Sequence, residues 1–450
     1  MESIVTSKFD IHLDWLPASH GSAEIRETSA ILDVIIGDNV ATRFDDAWSK
    51  SIQRSARVSA YPLALWIASS WWRLRWESSP FRTKPDSSWR MAHEMPGAGY
   101  GYLWPLLTFA SDGEAIDVTC RPSNPLSAEP VRYVADFHDA IEARAFERAL
   151  DEFVGLVLAR LDAVGLSGTE LRLLWDDVLA ERADPSATLR RTLEAKLGFE
   201  PDESPDALIS RLLSLSEQAG TLATEEIAPA CAGSDPTEAL DRIEAFAGSS
   251  GTAAHFANPV APLSLRPNGP VTPWQRGKNL AREMRKAYDL GSRPITDEEL
   301  AGMLTIPVNA FQKGPAAGAR LPLGLAIRNG RSGDLRLLFR KRNRPALRFE
   351  ATRMMGDQIS TPVQERWLPV TDTGTARQKT QRAFAIEFLC PISALDEHLQ
   401  QDFSEEAVED AAEYFGVSEL AVRSHLANHG RIPYDAVTYS GSRNSDQAIS

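Results

Sequence analysis

The period of the apolar pattern changes near Asp136, and this change limits what the chain can fold into. Upstream of it, Phe9-Asp10-Ile11-His12-Leu13-Asp14-Trp15 alternates apolar and polar, the spacing of a half-buried strand. Ala30 to Ile36 is an apolar run of strand length. Leu103 to Phe109 and Ala115 to Thr119 flank Ser111-Asp112-Gly113, which predicts a hairpin. From Asp136 onward, Phe137, Ile141, Phe146, Leu150, Phe153, Val154, Val157, Leu158 and Leu161 recur at three and four. That spacing predicts one long amphipathic helix ending near Gly165. Further helices are predicted over 169–183, 186–197, 204–219 and 238–246, with Asp184-Pro185 and Gly198 as stops. Gly248-Ser249-Ser250-Gly251-Thr252 and Pro259, Pro262, Pro267, Pro270 and Pro273 then read as a linker. The expected class is α+β: a mixed domain over 1–135, an all-helical middle over 136–247, a linker over 248–273, a C-terminal domain over 274–439 and a disordered tail over 440–450.

Length sets a prior of about three domains for 450 residues. A net charge of −14 argues against wholesale coating of nucleic acid. The three cysteines, Cys120, Cys231 and Cys390, are too few and too scattered for a disulfide framework, so a reducing, cytoplasmic setting is expected. No secretory leader opens the sequence, and no apolar stretch reaches membrane-spanning length. Trp66, Trp71, Trp72 and Trp76 crowd one segment. Core packing is the plain reading, and a base-stacking platform with Arg73 and Arg75 is the sharper one. Gly97-Ala98-Gly99-Tyr100-Gly101-Tyr102 is a turn region without the Lys-Ser/Thr of a phosphate loop. His93-Glu94 is followed by Pro96 and Gly97, which rules out H-E-x-x-H.

Past the linker, 277–290 predicts a helix, and Pro294-Ile295-Thr296 opens another with Thr296 as N-cap. Segments 321–327 and 335–339 bracket Asn329-Gly330 as a hairpin. Arg348-Phe349-Glu350-Ala351-Thr352-Arg353-Met354-Met355-Gly356-Asp357 follows as a helix. Then come Ala383-Phe384-Ala385-Ile386-Glu387-Phe388-Leu389-Cys390-Pro391 and a helix pair joined by Gly416-Val417-Ser418. In this order the fragments resemble the ImmA/IrrE family of zincin-like metallo-endopeptidases, over about residues 276–432. The counterparts are its G-x-x-x-P-I entry, its R-F-x-x-A-H-E-L-G-H helix, its F-A-x-x-L-L-x-P helix and its closing helix pair.

The departures bear on activity. Laid on the family form, Arg348, Phe349 and Gly356 match. The first His position is Arg353, the Glu position Met354, and the second His position Asp357. The third-ligand Glu, in an E-x-x-A-x-x-F-A pattern, falls at Gln378. A zinc site needs neutral His or anionic ligands. A permanent cation, a thioether and a neutral amide do not supply them, so no catalytic residue, metal or cofactor is expected. The resemblance implies a pseudopeptidase that keeps the fold. Arg353 and Asp357, at i and i+4, are expected to pair in place of the metal.

Other residues carry weaker signals. His425 and His429 stand one helical turn apart and could clamp a metal, and Glu387 could lend a carboxylate. A helix end that simply carries two histidines is the plainer account. Arg336, Arg340, Lys341, Arg342 and Arg344 reverse the sign of the chain locally. They read as a solvated hairpin, or as a contact surface for nucleic acid or an acidic partner. The closing helix pair also has helix-turn-helix form, with Arg423 as its basic residue. The leading expectation is a non-catalytic regulatory or interaction module. By resemblance its partner is a repressor-like or co-encoded protein, in mobile-element or phage-defence regulation. The alternatives are an active metallo-endopeptidase with a rearranged site using Asp357, Glu387 and a distant His, and a DNA-binding regulator.

Overall fold

The computed structural model describes residues 5–80, 84–126, 129–233, 235–256, 271–312, 321–330 and 333–433. Most of the linker expected over 248–273 and the tail expected over 440–450 lie outside the described residues. The architecture is mixed α/β with a largely helical middle. The chain divides into two compact units: residues 5–213 with Thr373–Thr375, and residues 214–372 with 376–433. The division falls inside the helical stretch, within the Asp206–Ala219 helix. Among the described residues no helix is long and apolar enough to cross a membrane.

In the first unit, Phe9–Trp15 pairs antiparallel with Ser29–Ile36, which also takes Ala56–Ser59. The hairpin expected around Asp112-Gly113 forms from Leu106–Ser111 and Ala115–Arg121. The tryptophan segment is the Ala60–Trp76 helix, with Trp66, Trp71 and Trp72 buried in the core. Arg73 pairs with Glu77 at 2.6 Å and Glu200 at 3.1 Å, and Arg75 pairs with Glu147. Tryptophans and arginines are thus used internally, as core packing requires. One helix starts later than its period suggests. Phe137–Glu142 is a strand paired with the 115–121 strand, and the helix runs Ala143–Ala163. Phe137 and Ile141 are four apart, a spacing that satisfies periods of both two and 3.6.

The second unit holds a four-stranded antiparallel sheet in the order Thr252–His255, Asp334–Leu338, Leu323–Arg328, Trp367–Thr371. Both edge strands escape the sequence pattern. Thr252–His255 lies in the stretch expected to be linker, and Trp367–Thr371 carries Pro369, which an edge strand tolerates. The Arg344–Ser360 helix starts at Asn343, whose side chain accepts from the Ala346 N–H at 3.0 Å. From Leu347 to Asp357 it is buried almost without a break, so it carries no amphipathic stripe. The Ala376–Leu389 helix packs against it. Gly356 meets Phe384 there: a Cβ on Gly356 would stand 2.5 Å from the Phe384 ring. On the other side Gly277, in the Pro273–Ala287 helix, lets that helix approach the backbone at Thr380.

Arg348 gathers three of the sequence fragments. Its guanidinium is 1% exposed. It donates Nη2 to the Ile295 carbonyl at 2.6 Å and Nε to the Gly416 carbonyl at 3.1 Å, and it pairs with Asp297. The entry segment, the Arg344–Ser360 helix and the turn of the closing helix pair are therefore tied to one side chain.

Candidate functional site

Of the four positions laid on the motif, three are buried polar side chains held in two hydrogen-bonded groups, one at Arg353 and Gln378 and one at Asp357, and the fourth is core. Gln378 is fully buried on the Ala376–Leu389 helix. Its Oε1 accepts from the Arg353 Nη2 at 2.5 Å and from the Thr371 N–H at 2.9 Å. Its Nε2 donates to the Pro369 carbonyl at 3.0 Å and to Glu226 Oε2 at 2.9 Å. Both hydrogens and both acceptor positions of the amide are used. A glutamate here would set a carboxylate against a carbonyl and a second carboxylate, so the surroundings specify an amide.

Arg353 reaches the same place from the Arg344–Ser360 helix. Its Nη2 also donates to the Thr371 carbonyl at 2.7 Å and to Gln381 Oε1 at 3.2 Å. Burial pushes the guanidinium down to about 9, with Arg382 and Arg340 adding to the effect, so it stays charged at neutral pH. Its Nε has no partner among the described residues. Met354 is fully buried in the hydrophobic core.

The expected Arg353–Asp357 pair does not form. Asp357 is held instead by Arg377, whose Nε reaches Oδ1 at 2.8 Å and whose Nη2 reaches Oδ2 at 2.7 Å. Thr361 adds a hydroxyl donor at 2.9 Å. Residues at i and i+4 share a helix face, but the facing helix supplies a better partner for each: Gln378 for Arg353, and the adjacent Arg377, with its two-pronged geometry, for Asp357. Sequence reasoning missed Arg377 and Glu226. Arg377 had a signal, since it directly precedes the third-ligand position. Glu226 had none, being 152 residues from Gln378.

This donor set does not fit zinc. The one anionic ligand, Asp357, is already neutralised by a bidentate arginine. Arg353 places a cation among the remaining positions, and the Gln378 oxygen is occupied twice over.

The basic segment is largely turned inward. Arg336 donates to the Ser249 and Ala247 carbonyls at 2.6 and 2.8 Å. Arg340 is buried between Glu350 at 3.2 Å and Asp372 at 2.7 Å. Arg344 is exposed but pairs with Asp297 at 2.6 Å. Lys341 is partly exposed, 3.9 Å from Asp372, and Arg342 is exposed. In the closing helix pair Arg423 is buried, so the basic residue of that helix is not on its outer face.

The structure brings together Glu387, His425 and His429, whose ligand-capable atoms lie within 4.8 Å of one another. His425 Nε2 stands 3.5 Å from Glu387 Oε2. Burial pushes the Glu387 carboxyl up, but the His425 ring and Arg282 outweigh it and hold it at about 2. Asp357 is not part of this group. Its partner Arg377 is ten residues from Glu387 on one helix, about 15 Å along the axis. A rearranged site combining Asp357 with Glu387 is therefore not assembled. Comparison with protein-family models, with curated proteins and with solved structures finds no match to this chain.

Proposed function

We propose that the second unit is a zincin-derived, ImmA/IrrE-like domain that has exchanged its metal site for buried polar side chains that pair with one another, and that it acts as a non-catalytic regulatory or interaction module. The observation that carries this reading is the Arg353–Gln378 contact at 2.5 Å. The positions aligned with the first and third ligands, 25 residues apart, meet across two helices, as ligand positions of one metal site must. Yet the side chains there complete each other's hydrogen bonds. The buried Met354 offers no group that could take a proton from water. Contacts of Arg348 with Ile295 and Gly416, and of Gly356 with Phe384, support the same alignment from residues outside the site. A repressor-like or co-encoded protein is the partner class this reading implies.

The test is to incubate the purified chain, with and without added zinc, with the proteins encoded beside it and with an unfolded protein substrate. The expected result is a co-eluting complex in which the partner stays intact. Zinc-dependent cleavage that stops on adding a chelator would overturn the proposal.

A further inference from the structure

Glu387 projects from the Ala376–Leu389 helix, and His425 and His429 come from the last turn and C-cap of the Glu419–Asn428 helix. Glu387 and His425 are 3% and 4% exposed. The ring of His429 is half-buried, and its Nδ1 lies 2.9 Å from the His425 carbonyl. The carbonyl can only accept, so Nδ1 carries the hydrogen and the lone pair of the neutral ring is on Nε2. A backbone carbonyl that fixes the histidine tautomer in this way is the usual support of a metal ligand. His425 Nε2 is buried without a hydrogen-bond partner among the described residues, although a carboxylate oxygen lies 3.5 Å away. Two ligands bonded at about 2.0–2.1 Å to a tetrahedral ion stand about 3.3–3.4 Å apart. His425 Nε2 and Glu387 Oε2, at 3.5 Å, are close to that spacing.

We propose that Glu387, His425 and His429 bind one divalent transition-metal ion of the zinc class, tying the closing helix pair to the Ala376–Leu389 helix. Two imidazoles and one carboxylate select zinc, cobalt or nickel over calcium and magnesium, which take oxygen ligands. Two cations of the Pro273–Ala287 helix occupy the flank of the cluster. Lys278 Nζ is 2.9 Å from His429 Nε2, and Arg282 Nε is 2.9 Å from Glu387 Oε1. Arg282 is on Oε1; Oε2 accepts from the Ile392 N–H at 3.4 Å and has a second lone pair for the ion. Lys278 is partly exposed and can swing to solvent, so the ion replaces an ammonium at the lone pair of His429. This site is separate from the altered motif positions and does not depend on the function proposed for them.

The test uses the full chain, stripped with chelator and titrated with Co²⁺ and then Zn²⁺, reading the visible ligand-field bands and the thermal midpoint. One Co²⁺ per chain is expected, displaced by Zn²⁺, with a zinc-dependent rise in midpoint. His429→Ala and Glu387→Gln should each weaken binding at least tenfold and abolish that rise. His429 is only half-buried, so its variant keeps the test valid if the Glu387 variant fails to fold. Asp357→Asn should leave the stoichiometry at one. Absence of saturable binding, or binding that persists in His429→Ala and vanishes in Asp357→Asn, would overturn the proposal.

Discussion

The Arg353 guanidinium and the Gln378 side-chain oxygen meet at 2.5 Å, inside the protein and 25 residues apart in sequence. Each explains the other. Among the described residues the arginine's hydrogen-bond acceptors are neutral, the Gln378 and Gln381 side-chain oxygens and the Thr371 carbonyl, and the amide needs a donor on one side while it donates on the other.

Gln378→Glu tests this complementarity. The new carboxylate loses the two donations to Pro369 and Glu226 and faces Glu226 directly. We expect a loss of about 2–4 kcal/mol in urea unfolding, partly recovered in mild acid, where a protonated glutamic acid can donate again.

Arg348→Met removes three interactions that hold the entry segment and the closing helix pair to the central helix. Removing one partner of a buried charge pair costs about 3–5 kcal/mol. Asp297 keeps Arg344 at 2.6 Å, so the lower end is expected. Denaturant titration measures it.

Gly356→Ala drives a methyl into the Phe384 ring. Overpacking costs about 1–3 kcal/mol. Phe384→Leu in the same chain should recover part of the loss, so a double-mutant cycle should show coupling of the two sites.

Acid should weaken the second unit through Asp372. Burial pushes this carboxyl up, but Arg340 and Lys341 outweigh it and hold it at about 2, below its ordinary value of 3.8. A depressed folded value means the stabilisation is complete above the ordinary value and is lost as pH falls from there toward about 2. Asp372→Asn should flatten the stability–pH curve in that window and leave its slope near neutrality unchanged.

Much of the second unit is legible because its signals are local. Thr296 caps the Asp297–Leu304 helix with Glu299 closing a capping box, as its residue types suggest. Asn329-Gly330 turns a real hairpin. Gly356 has a physical task against Phe384, where a Cβ would meet the ring. What stays hidden depends on distant partners. The Thr221–Cys231 helix carries Pro229 and is capped from outside by Glu365, which accepts from the Ala223 N–H at 2.9 Å. Asp357 pairs with Arg377 and not Arg353, and a helix-local rule does not include a partner on the facing helix. Glu387 and His425 stand 3.5 Å apart, and nothing in their sequence separation says so.

On this account Arg353 pairs with Gln378 and Arg377 with Asp357 where a zincin would hold its metal. The most direct measurement is anomalous diffraction at the zinc edge from crystals of the wild-type chain grown in excess zinc. The expected result is no zinc peak within bonding distance of Asp357 or Gln378, with Arg377 still on Asp357 and Arg353 still on Gln378. A zinc peak beside Asp357, with Arg377 displaced, would contradict it.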